Sequence, residues 1–412
     1  MADRKIQFNC YREDGTSQFV FFGDELKNIQ IEQKADPICS SIPISTASFT
    51  IVSPKYYYTK GQRFNIQKGN SLMVDSLGGF NVYVKTAKKI EKNTWQIFAE
   101  DAVSFLQEKM FLGGVYSGEK TQKALMGEIL STALKKTDFE IVGDFSEPVY
   151  GWIPYCTCRE ALKQICFASQ AVVDTSYGGK LRVVKIETPQ NIRSFSLGDL
   201  KKVEDISDGN DSKSVSLYWH AFEKNVDAPR EEIAKISIFD SKTSTIFFDK
   251  PYFDLDVGYA GEILESGDNY AIVERTGAVT LTGIPYSHGT GRLQKTPTYG
   301  EISGESIIQN ATLVTESAAQ SILDSCYNYI NAKRLSAEVI ETPSKLYTRY
   351  GEAKYGSGYK YGWDYLAFKP VRQLNIYSVP VYGENINGIV EKQTFKLTAG
   401  ALVKNCEIAE YN

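Results

Sequence analysis

Residues 147–186, EPVYGWIPYCTCREALKQICFASQAVVDTSYGGKLRVVKI, constrain the fold more than any other stretch of the chain. Thr157 stands three residues before Glu160. That is the spacing of a capping box, in which the hydroxyl accepts the free N–H of Glu160 and the glutamate reaches back. Pro154 and the Cys-Thr-Cys run keep the chain before the cap extended. Ala161, Leu162, Ile165, Cys166 and Ser169 then recur at helical spacing, so a short amphipathic helix buries one face. After it the period changes. Ala171-Val172-Val173-Asp174-Thr175 is β-branched, Gly178-Gly179 supplies a tight turn, and residues 180–186 return as a second strand. One short helix and one hairpin bury too little apolar surface to stand alone. The stretch is therefore a small α/β module that leans on a larger body.

That larger body reads mainly as strand. In residues 1–105 the segments 5–11, 19–22, 29–33, 47–52, 63–67, 80–86 and 94–99 alternate or carry β-branched and aromatic residues, with Gly, Pro and Asn-rich turns between them. Many short strands at close spacing predict a barrel or sandwich. Residues 101–108 add a short helical connection. Leu125, Ile129, Leu130, Ala133 and Leu134 make the apolar stripe of another helix, and 139–142 reads as a strand. Strands return at 215–219, 233–239, 244–248, 269–274 and 278–282. The longest helix is expected over 313–333, with Val314, Ala318, Ile322, Cys326 and Tyr329 on one stripe. A Tyr- and Gly-rich stretch follows, and strands at 371–377, 389–397 and 404–409 close the chain.

The expected fold class is a β-rich α+β multidomain protein: two barrel-like β domains with a small α/β module and a long helix between them. The units are 1–110, an N-terminal barrel-like domain; 111–189, the α/β module; 190–305 plus 369–412, a second barrel-like domain; and 306–368, the long helix with the Tyr/Gly-rich insertion.

Charge and cysteine usage narrow the function classes. A net charge of −4 over 412 residues gives no overall basic field, which disfavours specific nucleic-acid binding. The start, MADRKIQFNCYRED, is charged from its third residue, so no secretory leader is expected. No apolar run approaches the roughly 20 residues a membrane helix needs, so no membrane insertion is expected. Seven scattered cysteines fit free thiols made in a reducing cytoplasm.

The inventory of reactive residues offers no organised site. His220 and His288 lie far apart, without zincin spacing, and no Gly-x-Ser-x-Gly elbow exists. Neither histidine has a recognisable partner, and a structural or surface role is expected for both. Cys156, Cys158 and Cys166 lack a fourth ligand and the usual paired knuckles, so packing explains them better than zinc. Asp208-Gly209-Asn210-Asp211 lacks the order of a calcium loop and reads as a solvated turn. Asp254 and Asp256 share a strand face, which does not set a carboxylate pair across a cleft. The glycines from Gly356 to Gly362 miss the phosphate-loop spacing. No enzymatic activity, cofactor or metal is expected. The tyrosines around those glycines, Tyr350, Tyr355, Tyr359 and Tyr361, with Trp363, form either an adaptable partner-contact surface or an insertion whose rings cover the neighbouring barrel.

The order of units, with Tyr150-Gly151-Trp152-Ile153-Pro154, Arg159-Glu160-Ala161-Leu162, Ile165, Phe167-Ala168 and Ala171-Val172-Val173-Asp174, resembles the baseplate hub proteins of contractile phage tails and phage-tail-like bacteriocins. Asn310-Ala311-Thr312-Leu313-Val314 and Phe395-Lys396-Leu397-Thr398-Ala399-Gly400 also look like that family's pattern, with Ala399 where Gly is commoner. The resemblance implies a homotrimeric ring that adapts a sixfold tail tube above to a threefold central spike below. It further implies contacts with other baseplate proteins and the tape measure. The location it implies is the baseplate of a virion or tail-like particle, assembled in a bacterial cytoplasm and released by lysis. The competing expectation is a cell-wall hydrolase or glycan-binding protein of the tail tip.

Overall fold

The computed structural model describes residues 6–68, 79–176, 179–185, 193–194, 200–205, 212–237, 240–298, 302–341, 348–349, 353–355, 358–360, 363–364, 376–381, 384–398 and 401–410. All seven expected N-terminal strands form: Ile6–Tyr11, Ser17–Phe22, Leu26–Lys34, Thr46–Val52, Arg63–Lys68, Phe80–Glu91 and Thr94–Glu100. Their alternation turns Phe8, Cys10, Phe21, Ile31, Phe49, Ile51, Phe64, Val82 and Ile97 into one buried core. Aromatic edges meet faces there. Phe8 and Phe49 lie 4.6 Å apart at 84°, and Phe49 and Phe64 lie 5.0 Å apart at 82°.

This sheet does not end with the N-terminal unit. Strand Leu26–Lys34 pairs on one side with Thr46–Val52 and on the other with Glu384–Thr398, from Gln30↔Lys396 to Lys34↔Lys392. Arg334–Glu341, Ile376–Val381, Ala401–Glu410, Leu200–Asp205 and Arg193–Ser194 extend the same sheet to thirteen strands. Phe395 of the closing strands is buried inside the N-terminal core. The two ends of the chain thus share a sheet across the expected unit boundaries. Barrel closure, expected of both β units, is not found: among the described residues no sheet returns to its first strand. Periodicity reports which residues are in strands, but closure depends on long-range partners and on the coiling of the sheet.

The α/β module holds α1 (Val103–Glu108), α2 (Gln122–Ala133) and α3 (Cys158–Ala168). Strand Phe139–Val142 lies parallel to Leu181–Lys185, which pairs antiparallel with Ala171–Asp174. Thr121 caps α2 through the N–H of Ala124, and Thr157 caps α3 through the N–H of Glu160, both at 3.2 Å. Only the forward half of the expected capping box is observed. The Glu160 carboxylate turns to Lys163 Nζ at 2.6 Å, one helical turn on. The buried faces of α2 and α3 meet in one core with Cys39, Ile42, Leu106 and Leu313.

The long helix, α4, spans Glu316–Ile330, shorter than the expected 313–333. Leu313 and Val314 are instead buried in two different cores, which holds that stretch out of the helix. Asn331 ends α4 by donating to Tyr327 O, and its side chain exchanges hydrogen bonds with the backbone of Lys213. Through Ala319, Ile322, Leu323 and Cys326 the helix packs on Val215 and Leu217 of a three-stranded sheet, Ser287–Lys295, Ser212–Glu223 and Ile302–Ile308. Residues 231–285 build two further three-stranded sheets around a separate core that includes Phe248, Ala271, Val273 and Leu281.

Candidate partner-contact site

In the Tyr/Gly-rich stretch four short strands are described, and they pair two by two. Thr348–Arg349 pairs with Trp363–Asp364, and inside it Ala353–Tyr355 pairs with Gly358–Lys360. Tyr355, Tyr359 and Trp363 stand on these strands, whereas Tyr350 and Tyr361 lie outside the described residues. The local sequence supports these strands, since Tyr and Trp favour extended backbone.

The motif around Gly151 is a mechanical junction. Gly151 has φ +114°, and a Cβ there would collide with the carbonyl of Thr312. Glycine therefore lets the segment before α4 lie directly on strand Pro148–Ile153. Trp152 N donates to Thr312 O at 3.3 Å, and Thr312 Oγ1 bonds both Trp152 O and Gln164 Oε1. From the other side the turn after strand Gly261–Gly267 plugs into the module. Asn269, 1% exposed, donates through Nδ2 to Leu112 O and Ile153 O, both at 2.7 Å, and accepts from Trp152 Nε1. Next to it, Asp268 accepts from Val115 N–H and from the Tyr286 hydroxyl. Tyr155 stacks on Phe247 at 3.8 Å, adding an aromatic contact between the same two units. Gly-Trp-Ile-Pro was legible as a motif. Its partner, an ordinary Asp-Asn turn, carried no signal of its own.

The histidines do have a partner, contrary to expectation: each other. His220 Nδ1 lies 3.0 Å from His288 Nε2, and His220 Nε2 lies 2.9 Å from Gln309 O. A carbonyl only accepts, so Nε2 of His220 carries its proton and Nδ1 accepts from His288. Phe222 stacks on His288 at 4.3 Å. Burial lowers the pKa of both rings; for His220 the Gln309 carbonyl pulls the other way and the neighbouring His288 adds to the lowering. Cross-strand register makes this pair, since Phe222 stands opposite His288 and His220 opposite Thr290.

The remaining candidates are dispersed. Asp254 pairs with Arg230, while Asp256 accepts from the N–H of Gly258, and a bulge separates them. Burial pushes the Cys156 thiol up to about 12 and that of Cys158 to about 11, which makes both poor nucleophiles. Residues 208–211 lie outside the described residues. Among the described residues no group of three or more His, Cys, Asp or Glu is placed to hold a metal ion, and no helix is long and apolar enough to cross a membrane.

No protein-family model and no curated protein matches the chain. Solved structures do. The tail protein from Neisseria meningitidis MC58 superposes with a TM-score of 0.55 at 10% identity, covering 98% of this chain and 97% of that one. The 43 kDa tail protein of prophage MuSo2 from Shewanella oneidensis superposes with a TM-score of 0.52 at 12% identity, covering 98% of each chain. The fold is that of phage tail proteins. At such identities the likeness concerns the path of the chain and not its side chains.

Proposed function

We propose that this chain is a structural baseplate hub of a phage tail or of a tail-like contractile particle such as a bacteriocin. The observation that carries the reading is a likeness to two tail proteins that extends over 98% of the chain. The interlocked junction supports it, because a load-transmitting part needs units fixed to one another, and buried hydrogen-bonded polar groups do that. In this reading three copies form a ring. Its two β-rich units meet a sixfold tail tube above, and a threefold spike hangs below. Other baseplate proteins and the tape measure complete its surroundings. Assembly takes place in the bacterial cytoplasm, and lysis releases the particle. The Tyr/Gly-rich stretch with Tyr350, Tyr355, Tyr359, Tyr361 and Trp363 contacts a neighbouring subunit or baseplate protein. The chain performs no catalysis.

The native mass of the purified protein and its location in isolated particles test the hub. A trimer, placed by imaging between tube and spike, is expected; a monomer located on the tail fibres overturns it. Trypsin cleavage at Arg349, Lys354 and Lys360 tests this contact, since assembly should protect these sites relative to the free subunit. Incubation with peptidoglycan tests the absence of catalysis, and release of reducing ends or free amino groups that tracks the protein overturns it.

A further inference from the structure

Strand Ser287–Lys295 is an edge: among the described residues it pairs with Ser212–Glu223 and with nothing on its other side. Its length is held unevenly. Toward the C-terminal end, Arg292 reaches Ser216 and Glu305, and Lys295 pairs with Asp324 of α4 at 2.6 Å. Just before the strand, the Tyr286 hydroxyl donates to Asp268. Between these anchors Ser287, His288, Gly289 and Thr290 are exposed, and the glycines at 289 and 291 cost conformational entropy to keep extended. Within 287–290, the one side chain with a hydrogen bond or ring contact among the described residues is that of His288.

That contact depends on where the protons sit. Gln309 O keeps the proton of His220 on Nε2, so His220 Nδ1 accepts from Nε2–H of His288 across 3.0 Å. A first added proton has a free place, Nδ1 of the exposed His288 ring, and leaves this bond intact. A second has only Nδ1 of His220, the acceptor itself. Two N–H groups and two positive charges then face each other, and the bond is lost. His288 is the ring that leaves, because His220 is 7% exposed, is tied to Gln309, and donates its backbone N–H to Val314 O at 2.9 Å. Burial opposes both protons, which keeps the pair closed at neutral pH. The surroundings do not compensate the charge. Glu223, Lys224 and Glu316 share a cleft with His220, Tyr116 and Tyr150, and Arg292 on the edge strand is engaged by Glu305. Residues 309–314 contain no titratable side chain. Among the described residues neither ring has a carboxylate at ion-pair distance.

We propose that the histidine pair is an acid-sensitive latch on residues 287–291. One added proton leaves it closed; the second expels the His288 ring and opens that stretch of the edge strand. Opening uncovers the Phe222 ring, on which His288 stacks at 4.3 Å, and the backbone edge of residues 220–223. The inference concerns the single subunit and stands apart from the hub reading.

The test is hydrogen exchange of the full-length protein from about pH 7.5 to about pH 5, each rate divided by the intrinsic rate at that pH. Protection of the 287–291 amides should fall at least about tenfold across the range, while 279–285 and 292–295 keep theirs. His288→Gln retains an N–H for Nδ1 of His220 and does not titrate, so protection in that variant should stay level. An equal fall in both proteins, a fall spread along the whole strand, or level protection in the wild type overturns the latch. Should glutamine fail to hold the strand closed at neutral pH, the imidazole nitrogen shifts of the wild-type protein decide. His220 is expected to stay protonated on Nε2 alone while His288 takes the first proton; a neutral His220 protonated on Nδ1 overturns the proposal.

Discussion

Trp152 Nε1 donates to Oδ1 of Asn269 at 2.7 Å, joining residues 117 positions apart in sequence. The same asparagine holds two backbone carbonyls of the α/β module, so one buried amide uses three of its four hydrogen-bonding positions across a unit boundary. The outer sheets of 231–285 are fastened at this point.

Asn269→Ala leaves the indole N–H and two carbonyls unpaired in a buried place. A loss of about 2–4 kcal/mol is expected, since each orphaned buried group costs roughly 1–3 kcal/mol with partial relaxation. Hydrogen exchange should show faster opening at 231–285 than in the N-terminal sheet. Uniform acceleration throughout the chain would argue against a local fastening.

Gly151→Ala puts a methyl group on the Thr312 carbonyl at a positive φ, which L side chains rarely adopt. The expected cost is above about 2 kcal/mol. Gly127→Ala is the contrasting change. Gly127 lies inside α2 with open space at its Cβ, and should stabilise by about 0.5–1 kcal/mol. Denaturant midpoints that move in the same direction for both would contradict the junction geometry.

Asp101 is fully buried and accepts from Ser45 N–H, Val103 N–H and the Thr175 hydroxyl. Burial outweighs these donors and pushes its carboxyl up to about 6. A carboxyl raised in the folded state binds its proton more tightly there than in the unfolded chain. Its stabilisation is therefore full below about pH 4 and is lost as pH rises to about 6, a change of roughly 3 kcal/mol. Asp101→Asn should flatten that part of the stability profile. Parallel profiles for the two proteins would show that Asp101 does not titrate in this range.

The histidine pair acts with the opposite sign. Both rings are lowered in the folded state, so their contribution is present above the unfolded histidine value near 6.5 and is lost as pH falls through their folded values. His288→Phe should lessen the acid loss of stability below about pH 6.5. Imidazole NMR titrations of His220 and His288 give the direct reading. Ordinary, independent midpoints would dissolve the pair.

Thr157→Ala removes the α3 cap and should cost about 1 kcal/mol. Ile165, 1% exposed on the same helix, should cost about 2–5 kcal/mol when cut to alanine. Neutral midpoints for both would mean that the helix contributes little to the core.

What the sequence by itself determined is local. Thr157 before Glu160 fixes the start of α3, and alternation through Phe8, Phe49, Phe64 and Val82 fixes strands and their buried face. Strands that lack this pattern, such as Ser287–Lys295 with two glycines and exposed polar residues, are not legible that way. Tyrosine and glycine around 350–363 mark a distinctive segment, and only backbone pairing shows that its described strands pair in nested fashion. The partners were decided by the tertiary structure alone. Strand Leu26–Lys34 accepts Glu384–Thr398, Phe395 enters the N-terminal core, His220 meets His288, and Asn269 meets Trp152. The physical reason is that a strand's period states which face is buried but leaves its edge hydrogen bonds open to many segments. Which segment takes them depends on register, on small residues such as Gly151 and Gly291 that permit close approach, and on buried polar groups that pair in only one arrangement.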